Sequence, residues 1–478
     1  MAQRARAQDL TTRQVRARLP LMSRAAFVRP SGTDSALGPA TLSSGKRSSV
    51  FAPLRHRDFA LFWVAAVVSN SGSWMQSLAV PFVVYKITNS HTWLGVSAMS
   101  ALLPSVLCNS VAGALADRFQ RRKLLLISQS VLMVLALTMW AVWMRGDPRP
   151  GLLVGIVALS GAASGINMPV WQSFIPSLVP QGELVGAIRL NSMQFALARS
   201  FGPFLAGSTL HWFGPGAAFM VNAVTYLVVI AALVVVRPTP NVIAREGHPW
   251  RRLADGWRYV MRDPRLRISP LTIFWLSFFG FAFVQLAAAI AKDQFHRPEA
   301  IGTIVGSYGV GSVLASLFYN AIVAVFRPSQ IMVAGSLVWA GSLVLIAASD
   351  RFAIGIAGMA LMGFAHVTTA TTVNTSLQVH VDDAFRGRAL AIYMQGVLLG
   401  SALGAFSLAR FADRFGMAAT LRFAAAALAT FILVARSALG LRLLDTASPN
   451  TALDHTALDH TALDNTALDH TERNPRDA

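Results

Sequence analysis

Apolar runs of about 20 residues, the length a helix needs to cross a hydrocarbon core of roughly 30 Å, recur from Phe59 almost to Gly440. They predict twelve helical spans, at 59–85, 92–115, 124–144, 152–174, 188–210, 216–236, 268–291, 300–325, 331–349, 353–379, 389–411 and 417–437. The connections are short except for 237–267, which carries eight Arg and three acids and parts the spans into six plus six. The expected organisation is a disordered basic N-terminus over 1–55, a six-helix bundle over 56–236, a basic linker over 237–267, a second six-helix bundle over 268–440 and a disordered tail over 441–478. The fold class that follows is an all-α membrane protein with 12 transmembrane helices.

A weak internal likeness relates the two bundles. "GAIRLNSMQ" from Gly186 follows span four and "GRALAIYMQ" from Gly387 follows span ten, so that Gly186 pairs with Gly387 and Met193-Gln194 with Met394-Gln395. This suits a six-helix unit duplicated in parallel to give pseudo-symmetric bundles, as in one large class of secondary transporters.

Composition narrows the class further. With 54% hydrophobic and only 13% charged residues, the chain has no room for a soluble domain between its spans. Its single Cys, Cys108, lies inside an apolar run, which excludes a disulfide framework and a Cys metal centre. Residues 1–55 hold ten basic residues against Asp9 and Asp34, without the apolar stretch of a secretory signal peptide. A cytoplasmic tail, or a start codon placed too early, is favoured there over an organelle transit peptide. After Pro449 the chain repeats "TALDH" and "TALDN" with a period of five; His455, His460 and His470 sit on a chain too polar to form a core, so no metal site is expected.

The net charge of +19 would point to nucleic acid in a soluble protein, so its placement decides the matter. With both termini cytoplasmic, the inner segments hold 31 Lys and Arg and the outer segments and their edges nine, while Arg199 falls within span five. That bias has the positive-inside form. It makes the lipid bilayer the partner, excludes nucleic acid, and predicts that 145–151 faces out and 245–267 faces in.

Polar groups inside the spans mark a candidate path. Span one has Ser69, Asn70, Ser73, Trp74, Gln76 and Ser77 on adjoining helical faces; span seven has Gln285; span ten has His366, Thr368, Thr369, Thr372 and Asn374. Asn70, Ser73, Trp74, Gln76, Gln285, His366 and Asn374 are candidate substrate contacts, set against the plainer reading of helix–helix hydrogen bonds. Arg199 joins them, because an unpaired charge at the membrane centre costs about 3 kcal/mol or more. It either meets an anionic substrate group or a coupling step, or fastens span five to its neighbours. No Asp or Glu lies near the middle of any span. His366 is the deep His, and its two readings are a titrating group and a hydrogen-bonded fixture.

Small residues form seams. Ala198, Gly202 and Ala206 recur every four residues in span five, Gly302 and Gly306 stand in span eight, and Gly396, Gly400 and Gly404 in span eleven. Close helix packing explains such spacing.

The four letters Ala-Asp-Arg-Phe occur twice, in "GALADRFQRRK" from Gly113 and in "ARFADRFGM" from Ala409. The predicted topology puts the first inside and the second outside. Asp413 then reads as part of a short outer turn, whereas Asp117 is offset by the cations after it or by a neighbouring helix N-terminus. The inner pattern, Gly113, Leu115, Asp117, Arg118, Arg121 and Arg122, resembles the loop 2–3 signature of the major facilitator superfamily, with Gln120 where a Gly is usual. The resemblance implies the major facilitator fold and a latch that bridges the inner ends of the two halves. Gly202, Pro203 and Gly207 resemble the antiporter signature of drug-exporting members, with Ala198 and Ala206 in place of two of its glycines. "PSLVPQGELVGAIRLNS" from Pro176, "DGWRYVMRDPRLR" from Asp255 and "RGRALAIY" from Arg386 resemble the macrolide-efflux-like and enterobactin-exporter-like (transmembrane secretion effector) branch, whose members are bacterial inner-membrane exporters.

These resemblances imply a secondary active transporter that works by alternating access. It would export a small, largely apolar or anionic molecule (a drug, secondary metabolite or siderophore) in exchange for protons or another coupling ion, acting as a monomer. An ion-coupled importer is the alternative, and a non-transporting receptor or scaffold a further one. No Walker-type phosphate loop, H-E-x-x-H motif or paired intramembrane carboxylate is present, so no enzyme activity and no bound cofactor or metal is expected.

Overall fold

A computed structural model of the chain describes residues 51–146, 148–238, 249–382 and 385–445. The basic segment before 51, residues 239–248 of the linker and the repeat tail lie outside the described residues, as do the side chains of Asp117, Arg118, Arg199 and Pro203 and the surroundings of Gly113.

Among the described residues all regular structure is helical. The first half comprises α1 (Arg57–Thr88), α2 (His91–Arg118), α3 (Arg121–Met144), α4 (Pro150–Phe174), α5 (Leu184–Trp212) and α6 (Gly214–Val235). The linker contributes α7 (Pro249–Arg262). The second half opens with an interrupted helix: α8 (Pro264–Leu276), a π turn at Ser277–Phe281, α9 (Ala282–Gln285), α10 (Ala287–Ala289) and a second π turn at Ile290–Gln294. It continues through α11 (Ile301–Val325), α12 (Pro328–Ala347), α13 (Phe352–His380), α14 (Arg386–Phe415) and α15 (Met417–Ser437). Among the described residues ten segments are long and apolar enough to cross a membrane. The 32-residue α1 matches them in length but carries Ser69, Asn70, Ser71, Ser73 and Gln76 near its centre.

Local chemistry sets the boundaries. Pro150, Pro264 and Pro328 start α4, α8 and α12, where the missing amide hydrogen costs nothing. Asp263 caps α8 by accepting from the Arg265 amide at 2.7 Å. Gly416, with φ near +82°, turns the chain between α14 and α15.

The helix pairings repeat between the halves. α2 lies on α4 as α11 lies on α13; α3 lies on α6 as α12 lies on α15; α1 lies on α5 as α8 lies on α14. Glycines make the matching contacts: a Cβ on Gly161 would stand 2.2 Å from the Ala101 carbonyl oxygen, and one on Gly363 2.0 Å from that of Tyr308. Backbones therefore touch at both places, and the pairing pattern identifies a duplicated six-helix unit.

The halves meet where α2 runs along α14 and α5 along α11. The glycine seams divide between these tasks. Gly207 faces Gly302 across the halves, but Gly202 packs on Trp74 of its own half, and Gly396, Gly400 and Gly404 pack on the α8 and π segments of theirs. Gly306 has open space around it. The end that carries the α1–α2 turn is called the His91 end below, and the opposite one the Arg121 end.

Candidate functional site

The polar centre of α1 is largely engaged within the first half. Asn70 Nδ2 donates to Gln194 Oε1 at 2.9 Å, and Gln194 in turn donates to Asn191, which also accepts from Trp171 Nε1. Ser73 pairs with the Tyr226 hydroxyl at 3.1 Å, and Asn222 donates to Gln76 at 2.7 Å. In a medium without water, such bonds satisfy groups that would otherwise be costly. Trp74 is half-buried against Gly202, and Ser77 is exposed.

In the second half, His366 of α13 is only 7% exposed and faces the Ser277–Phe281 π turn, α11 and α12. Its Nδ1 meets the Tyr308 hydroxyl, and its ring lies 4.7 Å from that of Trp339 and 4.9 Å from that of Phe281. Gly280 makes this possible, since a Cβ there would stand 2.3 Å from the Trp339 indole. The π turn that includes Gly280 and Phe281 breaks the helical register beside the His, a kind of irregularity that recurs at functional sites. Gln285 and Asn374 are half-buried, and Asn374 accepts from Gln378.

At the Arg121 end, the cations after Asp117 serve their own half. Arg121 donates to the Ser173 carbonyl at 3.0 Å, and Arg122 to those of Leu233 and Val234 at 2.6 and 2.5 Å. These are unpaired carbonyls at the C-terminal ends of α4 and α6, where a cation also suits the helix dipole.

At the His91 end a group of bonds joins the halves, and the sequence pattern assigns no function there. Asp413 of α14 accepts from the His91 and Thr92 amides at 2.9 and 2.8 Å and from the Ser90 hydroxyl at 3.2 Å, so it caps α2 from the opposite half. It is far more than a short outer turn. His91 Nδ1 lies 2.7 Å from Asp413 Oδ1, and His91 Nε2 lies 2.5 Å from Asp293 Oδ2. Tyr85 donates to the same Asp293 oxygen at 2.6 Å, and Lys292 donates to Asn89 at 2.5 Å. A cavity of about 470 Å³ opens onto Tyr85, His91 and Asp293. The missed signal was the pairing of a helix start, Ser90-His91-Thr92, whose own Ser90 hydroxyl reaches only the Trp93 amide at 3.4 Å, with an acid at a helix end.

His91, Asp293 and Asp413 lie just beyond the predicted spans 92–115, 268–291 and 389–411. Partial burial works against a charged His91, but hydrogen bonds to Asp293 and Asp413 outweigh it and raise its pKa. Burial likewise opposes both carboxylates. The bonds from His91 and Tyr85 nevertheless lower Asp293, and those from Thr92 and His91 bring Asp413 to about 2.

Two duplicated six-helix bundles, meeting face to face and latched at one end, define a transporter of the major facilitator superfamily. Solved structures agree on the fold. A bacterial homolog to human lysosomal transporter Spinster, in inward-facing and unoccupied conformation, superposes with a TM-score of 0.64 at 14% identity, over 82% of this chain and 99% of that one. The D-xylose-proton symporter gives 0.64 at 14% identity, over 78% and 96%. The chain belongs to the transmembrane secretion effector family, whose pattern matches residues 48–466. Relatives include the Staphyloferrin A transporter of Staphylococcus aureus, 22% identical over 75% of this chain and 90% of that one. The Enterobactin exporter EntS of Escherichia coli O1:K1 / APEC is also 22% identical, over 73% and 84%. These relatives are transporters, not enzymes, and the chain is accordingly a multi-pass membrane transporter.

Proposed function

We propose that the protein exports a small, largely apolar or anionic molecule, of the siderophore, drug or secondary-metabolite class, across a bacterial inner membrane by alternating access in exchange for protons. The observation that carries the reading is the set of inter-half bonds at the His91 end, because bundles held together there by groups from both halves form one state of a rocking device. The excess of Lys and Arg in the opposite segments supports placing the His91 end outside and both termini in the cytoplasm. Arg199, at the middle of α5, with no Asp or Glu at mid-span, favours neutral or anionic cargo over strong cations. The relatives named for staphyloferrin A and enterobactin support a siderophore-like anion, and the Gly202, Pro203 and Gly207 pattern supports export.

In this reading Trp74, Gln285 and Asn374 contribute to recognition beside Arg199. Asn70, Ser73, Gln76 and His366 act behind them, holding the helices that present the path, and Asp117 with its flanking cations latches the Arg121 end in the alternate state. The test is uptake into inside-out vesicles of a panel of siderophores, antibiotics and dyes, with and without an uncoupler. Accumulation that needs the proton gradient is expected, and accumulation in right-side-out vesicles instead would overturn export. Arg199→Ala should abolish transport of anionic cargo while leaving folded protein and transport of neutral cargo in place.

A further inference from the structure

The geometry at the His91 end points to a proton-binding site: we propose that His91, clamped between Asp293 and Asp413, is the group through which acid outside the membrane closes that end. The inference rests on the orientation and the rocking motion proposed above.

The argument begins with counting hydrogens. Both ring nitrogens of His91 face a carboxylate oxygen within hydrogen-bond distance, 2.7 Å at Nδ1 and 2.5 Å at Nε2. A neutral imidazole has one N–H, so one of these contacts would set a nitrogen lone pair against carboxylate lone pairs. The imidazolium donates to both. The carboxylates are held in their acceptor form independently of the His. Asp413 accepts from two backbone amides and a hydroxyl at the start of α2, where the helix dipole also favours an anion. Asp293 accepts from Tyr85 at 2.6 Å; that hydroxyl also stands 3.2 Å from His91 Nε2, but its one hydrogen is committed to the nearer carboxylate, so it does not supply the ring nitrogen. A proton arriving at the cluster therefore resides on His91.

Every charged group facing the ring fits this assignment. Asp293 and Lys292 come from the end of the interrupted helix, Asp413 from α14 with Arg414 next to it, and Tyr85 from α1. Lys292 turns away to Asn89 and over the Tyr85 ring, 5.2 Å from its centroid, so it does not compete for the imidazole. The cavity over Tyr85, His91 and Asp293 gives solvent a route to the site.

His91 belongs to the first half, and both its carboxylates to the second. Separation of the halves at this end removes both partners at once, and the proton affinity of His91 returns to its ordinary value, about 6.5. The closed form thus binds the proton more tightly than the open form, and by linkage acid favours closure. The sign follows from the raised pKa of His91 in the closed form. Its contribution is complete below about 6.5 and is lost as pH rises through the closed-form value. The two lowered carboxylates contribute above their ordinary range, near pH 4, so closure is strongest from there to about pH 6.5.

Spin labels on Phe213→Cys and Glu299→Cys, one on each half at this end, would report the separation in lipid nanodiscs without any substrate, in a Cys108→Ser background. Between pH 5 and pH 9 the ratio of the short to the long distance population should fall at least tenfold. His91→Gln should flatten that profile, and His91→Arg, a permanent cation, should hold the short distance throughout. Asp293→Asn and Asp413→Asn should each move the midpoint to lower pH. A profile unchanged in His91→Gln, or no pH response in the parent protein while substrate flux persists, overturns the proton site and leaves the transport reading standing. Absence of flux together with a fixed distance would remove the rocking motion on which both depend.

Discussion

Gly207 in α5 is the position where a single added group should most directly force the halves apart. A Cβ there would stand 2.6 Å from the Gly302 Cα, whereas ordinary van der Waals contact begins near 3.4 Å. The shortfall is about 0.8 Å, and the opposing atom is backbone, so no side chain can rotate away to relieve it. In Gly207→Val, α5 and α11 must therefore separate in the closed form, and overpacking of this kind costs about 1–3 kcal/mol. With about 1.4 kcal/mol for each tenfold, the ratio of closed to open forms at the His91 end should fall roughly 5- to 100-fold. Ala409→Cys, in a Cys108→Ser background, provides the readout, because Ala409 is fully buried where Gly95 of α2 approaches it. Its labelling by a membrane-impermeant maleimide should accelerate by a similar factor. Gly306→Val, four residues after Gly302 in α11 and with open space around its Cβ, should leave the rate unchanged. Equal labelling rates in folded Gly207→Val and parent protein would refute the claim that this contact closes the end.

Further outcomes follow from the Arg121 end. Arg122→Ala leaves the Leu233 and Val234 carbonyls without their charged donor, a loss of roughly 2–3 kcal/mol that should lower the unfolding temperature in detergent by about 5 °C, with Arg122→Lys in between. Asp117→Asn should favour the form open at the Arg121 end, seen as faster labelling of a single Cys near the cytoplasmic ends of α5 and α11; an unchanged rate would count against the latch.

The parts legible in the sequence and the parts hidden from it divide along a physical line. Span length and the twofold grouping were legible because a bilayer imposes one length on every helix and leaves charge for the connections. The pairing of helices was only half legible, since a glycine announces a close approach without saying to what. Gly400 and Gly404 announce close packing in span eleven, and only the fold shows that what they admit are the Phe274 and Phe278 carbonyls of their own half. The same holds for polar side chains: Asn70, Ser73 and Gln76 signalled a need for partners, and the fold supplies Gln194, Tyr226 and Asn222 within the first bundle.

The two Ala-Asp-Arg-Phe copies carry this point furthest. Sequence context gave weight to the inner Asp117, with its cluster of cations, and passed over Asp413, which stands before a plain glycine turn. Asp413 acquires its role from a helix start more than 300 residues earlier in the chain, and a relation at that distance leaves no local spacing to read. An acid at the C-terminal end of a helix is unfavourable in isolation, so in either copy it implies a positive partner elsewhere. For Asp413 that partner is the amide-rich start of α2 together with His91, and it is available only while the halves are closed at that end. The unfavourable placement is therefore what makes the residue sensitive to conformation: an acid content with its own helix would gain nothing from closure, whereas Asp413 gains a cap, a counterion and the opposite half together.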